Sequence, residues 1–334
     1  MSSLAVPVWV WALLGGLMIV LVSFDLFAHR GDRVDSHRRA ILWSLIWVAC
    51  ALAFGGFVTV KFGLEAGEQY LAAYLLEKSL SVDNLFLFIV IFSALRIPAR
   101  EQRRVLTWGI VGALVTRGLF IAAGATLLQK WHAVTYVFGG LLIVTALKLL
   151  RRPAVETGPP RLLGWLKRHV PWTDELQGHH FIARVDDTRP GRVGAQRLVG
   201  TPLLVALIAI ELTDVVFAID SIPAAFAVTR EPFIVYSSNV FAILGLRALY
   251  IVLAGFLVDL RYLRFGLAAV LGFAGAKLIL AQLGFHVSPA ISVTVIIVCI
   301  GIAIAFSVRA NRRDGQHAPP ATGDDAERMV RTPP

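Results

Sequence analysis

Two short acidic motifs lie within long apolar stretches of this 334-residue chain. The first reads E-K-S-L-S-V-D-N from Glu77 to Asn84, and the second reads D-V-V-F-A-I-D-S from Asp214 to Ser221. Each consists of an acid, five further residues, an aspartate and then an amide or hydroxyl residue. A charged side chain at the centre of a bilayer costs about 2.5–3.5 kcal/mol on insertion scales, and such residues usually serve a function. These motifs are therefore candidate ion-binding groups.

The candidate ligands are oxygen atoms of carboxylate, amide and hydroxyl groups. The set comprises Glu77, Asp83, Asn84, Glu211, Asp214, Asp220 and Ser221. Oxygen ligands suit Mg²⁺, Ca²⁺ or Mn²⁺, whereas Cu(I) and thiolate-bound Zn²⁺ prefer sulfur. No histidine or cysteine lies near either motif, and several acids would repel an oxyanion. The sequence therefore predicts a site for a hard divalent cation and leaves Mn²⁺, Ca²⁺ and Mg²⁺ open.

Helical periodicity places the acids of each motif on neighbouring faces rather than on one face. With about 3.6 residues per turn, Glu77 and Asn84 share a stripe, and Asp83 lies about a third of a turn away. Two crossing helices, or a local break in one helix, would bring such acids to a single point. Pro223 predicts a break just after the second motif, with a freed carbonyl available to an ion. Asn239 is a further polar candidate, although it could simply bind a neighbouring helix.

The composition of the chain is that of a membrane protein. Hydrophobic residues make up 57% of it and charged residues 16%, whereas soluble domains are roughly half apolar and a quarter charged. A spanning helix needs about 20 apolar residues, and we find nine such runs. They cover residues 6–28, 40–61, 68–95, 105–128, 132–150, 202–228, 232–258, 262–283 and 289–308. The predicted fold is an all-α polytopic membrane protein with nine transmembrane helices.

The basic residues, which give the chain a net charge of +10, are concentrated in alternate loops. The positive-inside rule therefore predicts an external N-terminus and a cytoplasmic C-terminus in the cell inner membrane. The same pattern explains the basicity by topology and argues against nucleic acid as a partner. The polar segment 151–201 is predicted to be a cytoplasmic linker loop, and the tail 309–334 a disordered cytoplasmic segment.

An internal repeat becomes visible in the rare polar residues of the apolar runs. The two acids of the second motif lie 137 residues after those of the first, and similar offsets of 130 and 129 separate an arginine pair and a lysine pair. These basic residues are Arg117 with Arg247 and Lys148 with Lys277. A repeat of three helices, an odd number, predicts that the second copy is inverted, with the substrate site near the midplane between the copies. The alternative is chance similarity between apolar segments.

The repeat divides the chain into six predicted parts. These are the first two helices at 1–66, the first repeat at 67–150, the linker at 151–201, the second repeat at 202–283, the last helix at 284–308 and the tail at 309–334. The four basic residues of the repeats are predicted to be counter-charges of the acids. They could also replace a departed cation or promote exchange of metal for protons. The structural alternative is that the acids and bases form permanent buried ion pairs.

The two motifs resemble the signature segments of the TerC family of integral membrane proteins. The strings that carry the resemblance are L-E-K-S-L-S-V-D-N-L-F from Leu76 and I-E-L-T-D-V-V-F-A-I-D-S-I-P-A from Ile210, with W-G-I-V-G-A from Trp108 in support. Family members are linked to Mn²⁺ efflux, and others to tellurite resistance or pH response. The resemblance implies that the acids of the third and sixth runs bind a metal ion during export.

The expected function is therefore a secondary transporter that exports a hard divalent ion, with Mn²⁺ favoured, by alternating access and proton antiport. No phosphate-binding G-x-x-x-x-G-K-[ST] string occurs, so an ion gradient would supply the energy. The expected partners are the metal ion, protons and the lipid bilayer, and no cofactor is expected. An alternative is a non-transporting membrane component of a tellurite or metal stress-response complex. An intramembrane hydrolase would need paired acids at close range, and the chain is not expected to be an enzyme.

Overall fold

A computed structural model describes most of the chain. The described residues are 6–28, 37–131, 133–151, 164–166, 168, 171–173, 176, 178–186, 196–256, 262–285 and 287–316. Among the candidate ligands, Asp83 has a described backbone, but its side chain lies outside the described part of the structure. Much of the predicted linker, and the predicted tail from residue 317 onward, also lie outside it.

The described chain is almost entirely helical. Its elements, in order, are α1 (Val8–Ala28), α2 (His37–Phe62), α3 (Leu64–Ala94), α4 (Ala99–Lys130), α5 (Ala133–Arg151), β1 (Ile182–Asp186), β2 (Gln196–Gly200), α6 (Pro202–Val228), α7 (Pro232–Leu244), α8 (Leu246–Phe256), α9 (Leu263–Gln282) and α10 (Pro289–Gln316). Each predicted apolar run coincides with helix. The last helix continues to Gln316, so the prediction of disorder from residue 309 was wrong for the first eight residues of the tail.

Within the described residues, seven helices are long and apolar enough to cross a membrane, namely α1, α2, α4, α5, α6, α9 and α10. Helices α7 and α8 meet at a bend of 42°, which is the geometry of a broken span or of a re-entrant loop, and the pair would be an eighth span in the first case. Helix α3 has 31 residues but carries Glu65, Glu68, Glu77, Lys78 and Asp83, which lower its apolar character. The chain is thus a multi-pass membrane protein, while the count of nine spans stays a prediction.

The helix break lies in a different run from the one predicted. Helix α6 continues through Pro223 to Val228. Prolines are tolerated in transmembrane helices where neighbouring helices and side chains satisfy the freed backbone groups. The break instead separates α7 from α8 at Gly245. A Cβ atom on Gly245 would lie 2.9 Å from Nζ of Lys78 and 3.1 Å from Cβ of Trp47. These two side chains therefore pack closely against the break.

Helices α3 and α6, which carry the two motifs, lie at the centre of the bundle. Helix α3 packs against α2, α6, α7 and α10, and α6 packs against α3, α4, α5 and α9. Helices α5 and α9 pack closely where Gly139 faces Gly275. A Cβ atom on Gly275 would lie 2.7 Å from the carbonyl oxygen of Gly139. Two helices that contact each other and four or more neighbours are well placed to form a buried site.

The predicted linker loop contains an antiparallel β-hairpin. Strands β1 and β2 pair with Ile182 opposite Gly200 and Asp186 opposite Gln196. Neither I-A-R-V-D nor Q-R-L-V-G alternates strictly between apolar and polar residues, which is why the pattern did not predict these strands. The hairpin immediately precedes α6 and so fixes where that helix begins.

Candidate metal site

Arg117, in the middle of α4, connects four helices through its guanidinium group. Its Nη2 and Nε atoms donate to Oδ1 and Oδ2 of Asp214 on α6, at 2.9 and 3.3 Å. Its Nη1 atom donates to Oδ1 of Asn239 on α7 at 2.8 Å. The same Nη1 forms an ion pair with Oε1 of Glu77 on α3. We call Glu77, Arg117, Asp214 and Asn239 the arginine cluster.

The arginine cluster is fully enclosed. Arg117 is 1% exposed, Glu77 0% and Asp214 5%. Two ionised carboxylates around a single guanidinium would leave one negative charge in excess, and an uncompensated buried charge is strongly destabilising. The cluster therefore favours a proton or an additional cation as a partner.

Several buried oxygen atoms of α3 and α6 lack a hydrogen-bond donor among the described residues. Neither carboxylate oxygen of Glu77 receives a hydrogen bond of good geometry, although Oε1 is ion-paired with Arg117. The hydroxyl oxygens of Ser81, one turn along α3, and of Ser221 on α6 are also buried without a partner. Because most buried polar atoms are satisfied, open oxygens of this kind are suited to binding a hard cation.

Glu211 lies outside the arginine cluster and faces α4. A Cβ atom on Gly112 would overlap the carboxyl group of Glu211, so this glycine provides the space that the acid occupies. Oε1 of Glu211 is buried and has no hydrogen-bond partner in the described chain. Glu211 lies less than one helical turn from Asp214 along α6, and the two acids interact electrostatically.

Asp220 contacts a third helix. Thr145 on α5 donates its hydroxyl hydrogen to Oδ1 of Asp220 at 2.9 Å, and Lys148, nearly one turn further along α5, interacts with the same acid electrostatically. The acids of α6 therefore face two helices, α4 and α5, at different heights. The described side chains contain no group of three histidine, cysteine, aspartate or glutamate residues able to hold a metal. The single site predicted for all seven ligands stays a prediction, because the side chain of Asp83 lies outside the described part of the structure.

Two of the four predicted counter-charges, Arg247 and Lys277, contact groups other than the acids of the two motifs. Nη1 of Arg247 lies 3.7 Å from Oδ2 of Asp25 on α1. The amino group of Lys277 donates to the hydroxyl of Ser292 at 2.9 Å and to the carbonyl of Val228 at 3.5 Å. The structure therefore pairs Arg117 with both motifs, while Arg247 contacts a helix outside the predicted repeats.

A family model described as "Integral membrane protein TerC family" matches residues 62–315. The chain belongs to the TerC family. The match covers all seven candidate ligands and the four basic residues, whereas α1 and nearly all of α2 precede it. Asp25, which pairs with Arg247, is consequently outside the segment that defines the TerC family.

Curated relatives match over almost the whole chain. It is 44% identical over 317 residues to "Uncharacterized membrane protein STKORF319" of Myxococcus xanthus, covering 94% of this chain and 95% of that one. It is 36% identical over 325 residues to "Putative membrane-bound redox modulator Alx" of Escherichia coli (strain K12), covering 94% and 98%. It is 38% identical over 315 residues to "Tellurium resistance protein TerC" of Serratia marcescens, covering 87% and 91%. No solved structure matches the chain.

Sequence reasoning missed three polar residues of this TerC chain. Thr145 binds Asp220, and Lys78 donates from its amino group to the carbonyl of Ala242 at 3.2 Å, close to the end of α7. Asp25 on α1 is buried beside Arg247. A search for oppositely charged residues at equal depth in separate apolar runs would have indicated the last pair.

Proposed function

We propose that this TerC-family protein is a secondary transporter that exports a hard divalent cation, with Mn²⁺ as the substrate. The observation that carries the proposal is the arginine cluster, in which one acid from each motif binds the same guanidinium in the interior of a membrane protein. Buried ionisable groups in membrane helices mark ion pathways in many transporters. Glu77 and Asp214 would be the central ligands, and Ser81, one turn from Glu77 on α3, would supply a neutral oxygen.

In this proposal Arg117 is a tethered substitute for the transported ion. When no metal is bound, the guanidinium pairs with Glu77 and Asp214 and a proton compensates the remaining negative charge. A divalent cation that binds both carboxylates must displace the guanidinium. Binding of metal and pairing with Arg117 are then mutually exclusive. Such exclusion provides two states with different contacts between α3, α4 and α6, as alternating access requires.

The contacts between helices support an inverted repeat. In the predicted repeat, α3 corresponds to α6, α4 to the α7–α8 pair, and α5 to α9. The packing of α3 on α7 then corresponds to the packing of α6 on α4. In the same way, the contact of α3 with α9 corresponds to the contact of α6 with α5. The contact between α5 and α9 corresponds to itself. Glu77 and Asp214 occupy equivalent positions of the two repeats, and both reach Arg117.

The proposal also includes the orientation of the protein in the membrane and the energy source of transport. We place the N-terminus outside and the C-terminus in the cytoplasm of the inner membrane, because the basic loops alternate in that sense. Carboxylates that lose a cation in the membrane interior are best neutralised by protons, which suits proton antiport. The protein would need no cofactor and no enzymatic activity, and lipid would be its remaining partner.

A second candidate function is a non-transporting membrane component of a stress-response complex that involves metals or tellurite. It is favoured by the bidentate pairing of Asp214 with Arg117, which could be a permanent structural ion pair. Under that function, a variant that still folds and inserts into the membrane would keep resistance in cells after neutralisation of Glu77, Asp83, Glu211, Asp214 and Asp220 together. Transport requires that resistance be lost.

Uptake of Mn²⁺ into inside-out vesicles, with and without a pH gradient, tests the proposal. We expect wild-type protein to accumulate Mn²⁺ and the gradient to accelerate it, while Glu77→Gln and Asp214→Asn abolish uptake. Glu65→Gln is the matched control, because this exposed glutamate also lies on α3 but at its first turn. Equal uptake by all variants, or none by any, would refute the transport proposal.

A further inference from the structure

The β-hairpin before α6 has two chemically different faces. Ala183 and Val199, which are paired across the strands, are buried and turn toward the protein. On the opposite face, Ile182 is 56% exposed and Leu198 is 62% exposed. Arg184 is exposed directly opposite Leu198, between these two apolar side chains. We call Ile182, Arg184 and Leu198 the outer face of the hairpin.

The hairpin is held against the ends of two membrane helices. Nδ1 of His179 lies 2.6 Å from Oε1 of Glu101 in the first turn of α4. The hydroxyl of Thr201, the residue before α6, donates to the carbonyl of His180 at 2.8 Å. The guanidinium of Arg104 lies 5.5 Å from the ring centre of Phe181. These contacts place the hairpin at the membrane surface where α4 and α6 begin.

An apolar face on a short hairpin is a liability in water. Exposed strands with large apolar side chains promote association of chains and aggregation. A surface that combines apolar side chains with a basic one instead fits the boundary between anionic headgroups and acyl chains. The exposed side chain of Trp165, which precedes the hairpin, adds an aromatic residue of the type enriched at that boundary.

We propose that the outer face of the hairpin rests on the lipid surface and binds anionic headgroups. Ile182 and Leu198 enter the apolar boundary, and Arg184 pairs with lipid phosphate. A second copy of the chain fits this face less well, because a two-fold contact between identical faces would bring Arg184 close to its own equivalent. Lipid contact at the hairpin would fix the start of α6, the helix that carries three of the candidate acids.

Nitroxide labels on neighbouring residues provide a matched test. Leu198 and Arg197 are consecutive and point to opposite faces of the hairpin. Leu198→Cys and Arg197→Cys would be labelled in full-length protein whose Cys50 and Cys299 are replaced by serine. The labelled proteins would be placed in nanodiscs of phosphatidylethanolamine with phosphatidylglycerol, or of phosphatidylcholine alone. Collision with oxygen and with a water-soluble nickel chelate reports whether each label lies in lipid or in water.

We expect the label at position 198 to collide mainly with oxygen and the label at position 197 mainly with the nickel chelate. Replacing phosphatidylglycerol by phosphatidylcholine is expected to change the collision rates of the label at position 198. The ratio of its collisions with the nickel chelate to its collisions with oxygen should rise at least twofold. Equal access of nickel to both positions would overturn the proposal. Spin–spin broadening at position 198 would also overturn it, in favour of a second copy of the chain. Lipid contact that does not depend on phosphatidylglycerol would overturn the assignment of anionic headgroups. None of these outcomes depends on whether the protein transports metal.

Discussion

Arg117 binds both carboxylate oxygens of Asp214, with 2.9 Å from Nη2 to Oδ1 and 3.3 Å from Nε to Oδ2. Bidentate pairing of this kind fixes the geometry as well as the charge of a carboxylate. Because Glu77 pairs with the same guanidinium, any cation that binds both acids must compete with Arg117. This competition generates the first two predictions.

Arg117→Met should destabilise the metal-free protein by about 3–5 kcal/mol, because it leaves two buried acids without their counter-charge. Added Mn²⁺ should restore more stability in this variant than in wild type, since no guanidinium has to be displaced. Thermal unfolding in detergent with and without Mn²⁺ measures both effects. Arg100→Met, at the exposed start of α4, serves as the control. Equal stabilisation of the two variants by Mn²⁺ would contradict competition.

Asn239→Ala should tighten the binding of Mn²⁺ about tenfold. It removes the hydrogen bond from Nη1 of Arg117 at 2.8 Å, and a hydrogen bond to a charged group contributes about 1.5–3 kcal/mol. Isothermal titration with Mn²⁺ measures the change. Ser237→Ala is the matched control on α7, because the Ser237 hydroxyl is buried but donates to the carbonyl of Ile234 in its own helix. Unchanged affinity in Asn239→Ala would show that Arg117 does not oppose the metal.

Gly112→Ala should destabilise the protein by about 1–3 kcal/mol and impair transport, because the added methyl group occupies the space of the Glu211 carboxyl group. Removing that carboxyl group should relieve the clash, so Glu211→Ala added to Gly112→Ala should regain most of the stability. Gly140→Ala is a control, since nothing lies within 4 Å of a Cβ atom there. A double-mutant cycle with strictly additive effects would show that the two residues do not interact.

Lys78→Met should lower the unfolding temperature and slow transport while leaving affinity for Mn²⁺ within about threefold. The variant removes the amino group that donates to the carbonyl of Ala242, near the helix break at Gly245, and charged donors stabilise helix C-termini by about 0.3–1 kcal/mol. Vesicle uptake and Mn²⁺ titration on the same preparation separate rate from affinity. Loss of affinity as large as the loss of rate would assign Lys78 to the site itself.

The sequence predicted the helices well, for identifiable physical reasons, whereas the metal-binding role of the acids stays a prediction. Apolar runs of about 20 residues determine where helices span a bilayer, and the boundaries of α6 agree with its run 202–228. The equal spacing of Glu77 with Asp214 and of Asp83 with Asp220 predicted equivalent positions. In the structure, Glu77 and Asp214 indeed meet at one arginine.

The partners of the charged residues were not predictable in the same way. Rotation of a helix by one residue, about 100°, decides whether a side chain faces one neighbour or another. That rotation follows from packing over the whole bundle, as shown by Glu211 in its space beside Gly112. Arg247 and Asp25 lie 222 residues apart in the sequence, and no local pattern connects them.

The helix break depends on packing as well. Pro223 is the stronger local signal, yet α6 continues through it, while the break occurs at Gly245, beside Trp47 and Lys78. Local propensity predicts only the loss of one hydrogen bond at a proline. Whether a helix bends there depends on its neighbours, which the sequence does not specify directly.

Anomalous X-ray diffraction from crystals soaked in Mn²⁺ tests the competition between metal and Arg117 most directly. We predict one anomalous peak within coordination distance of both Glu77 and Asp214, with the guanidinium of Arg117 moved away from the two carboxylates. A peak that leaves Arg117 bound to both acids, or the absence of any peak near them at saturating Mn²⁺, would contradict the account.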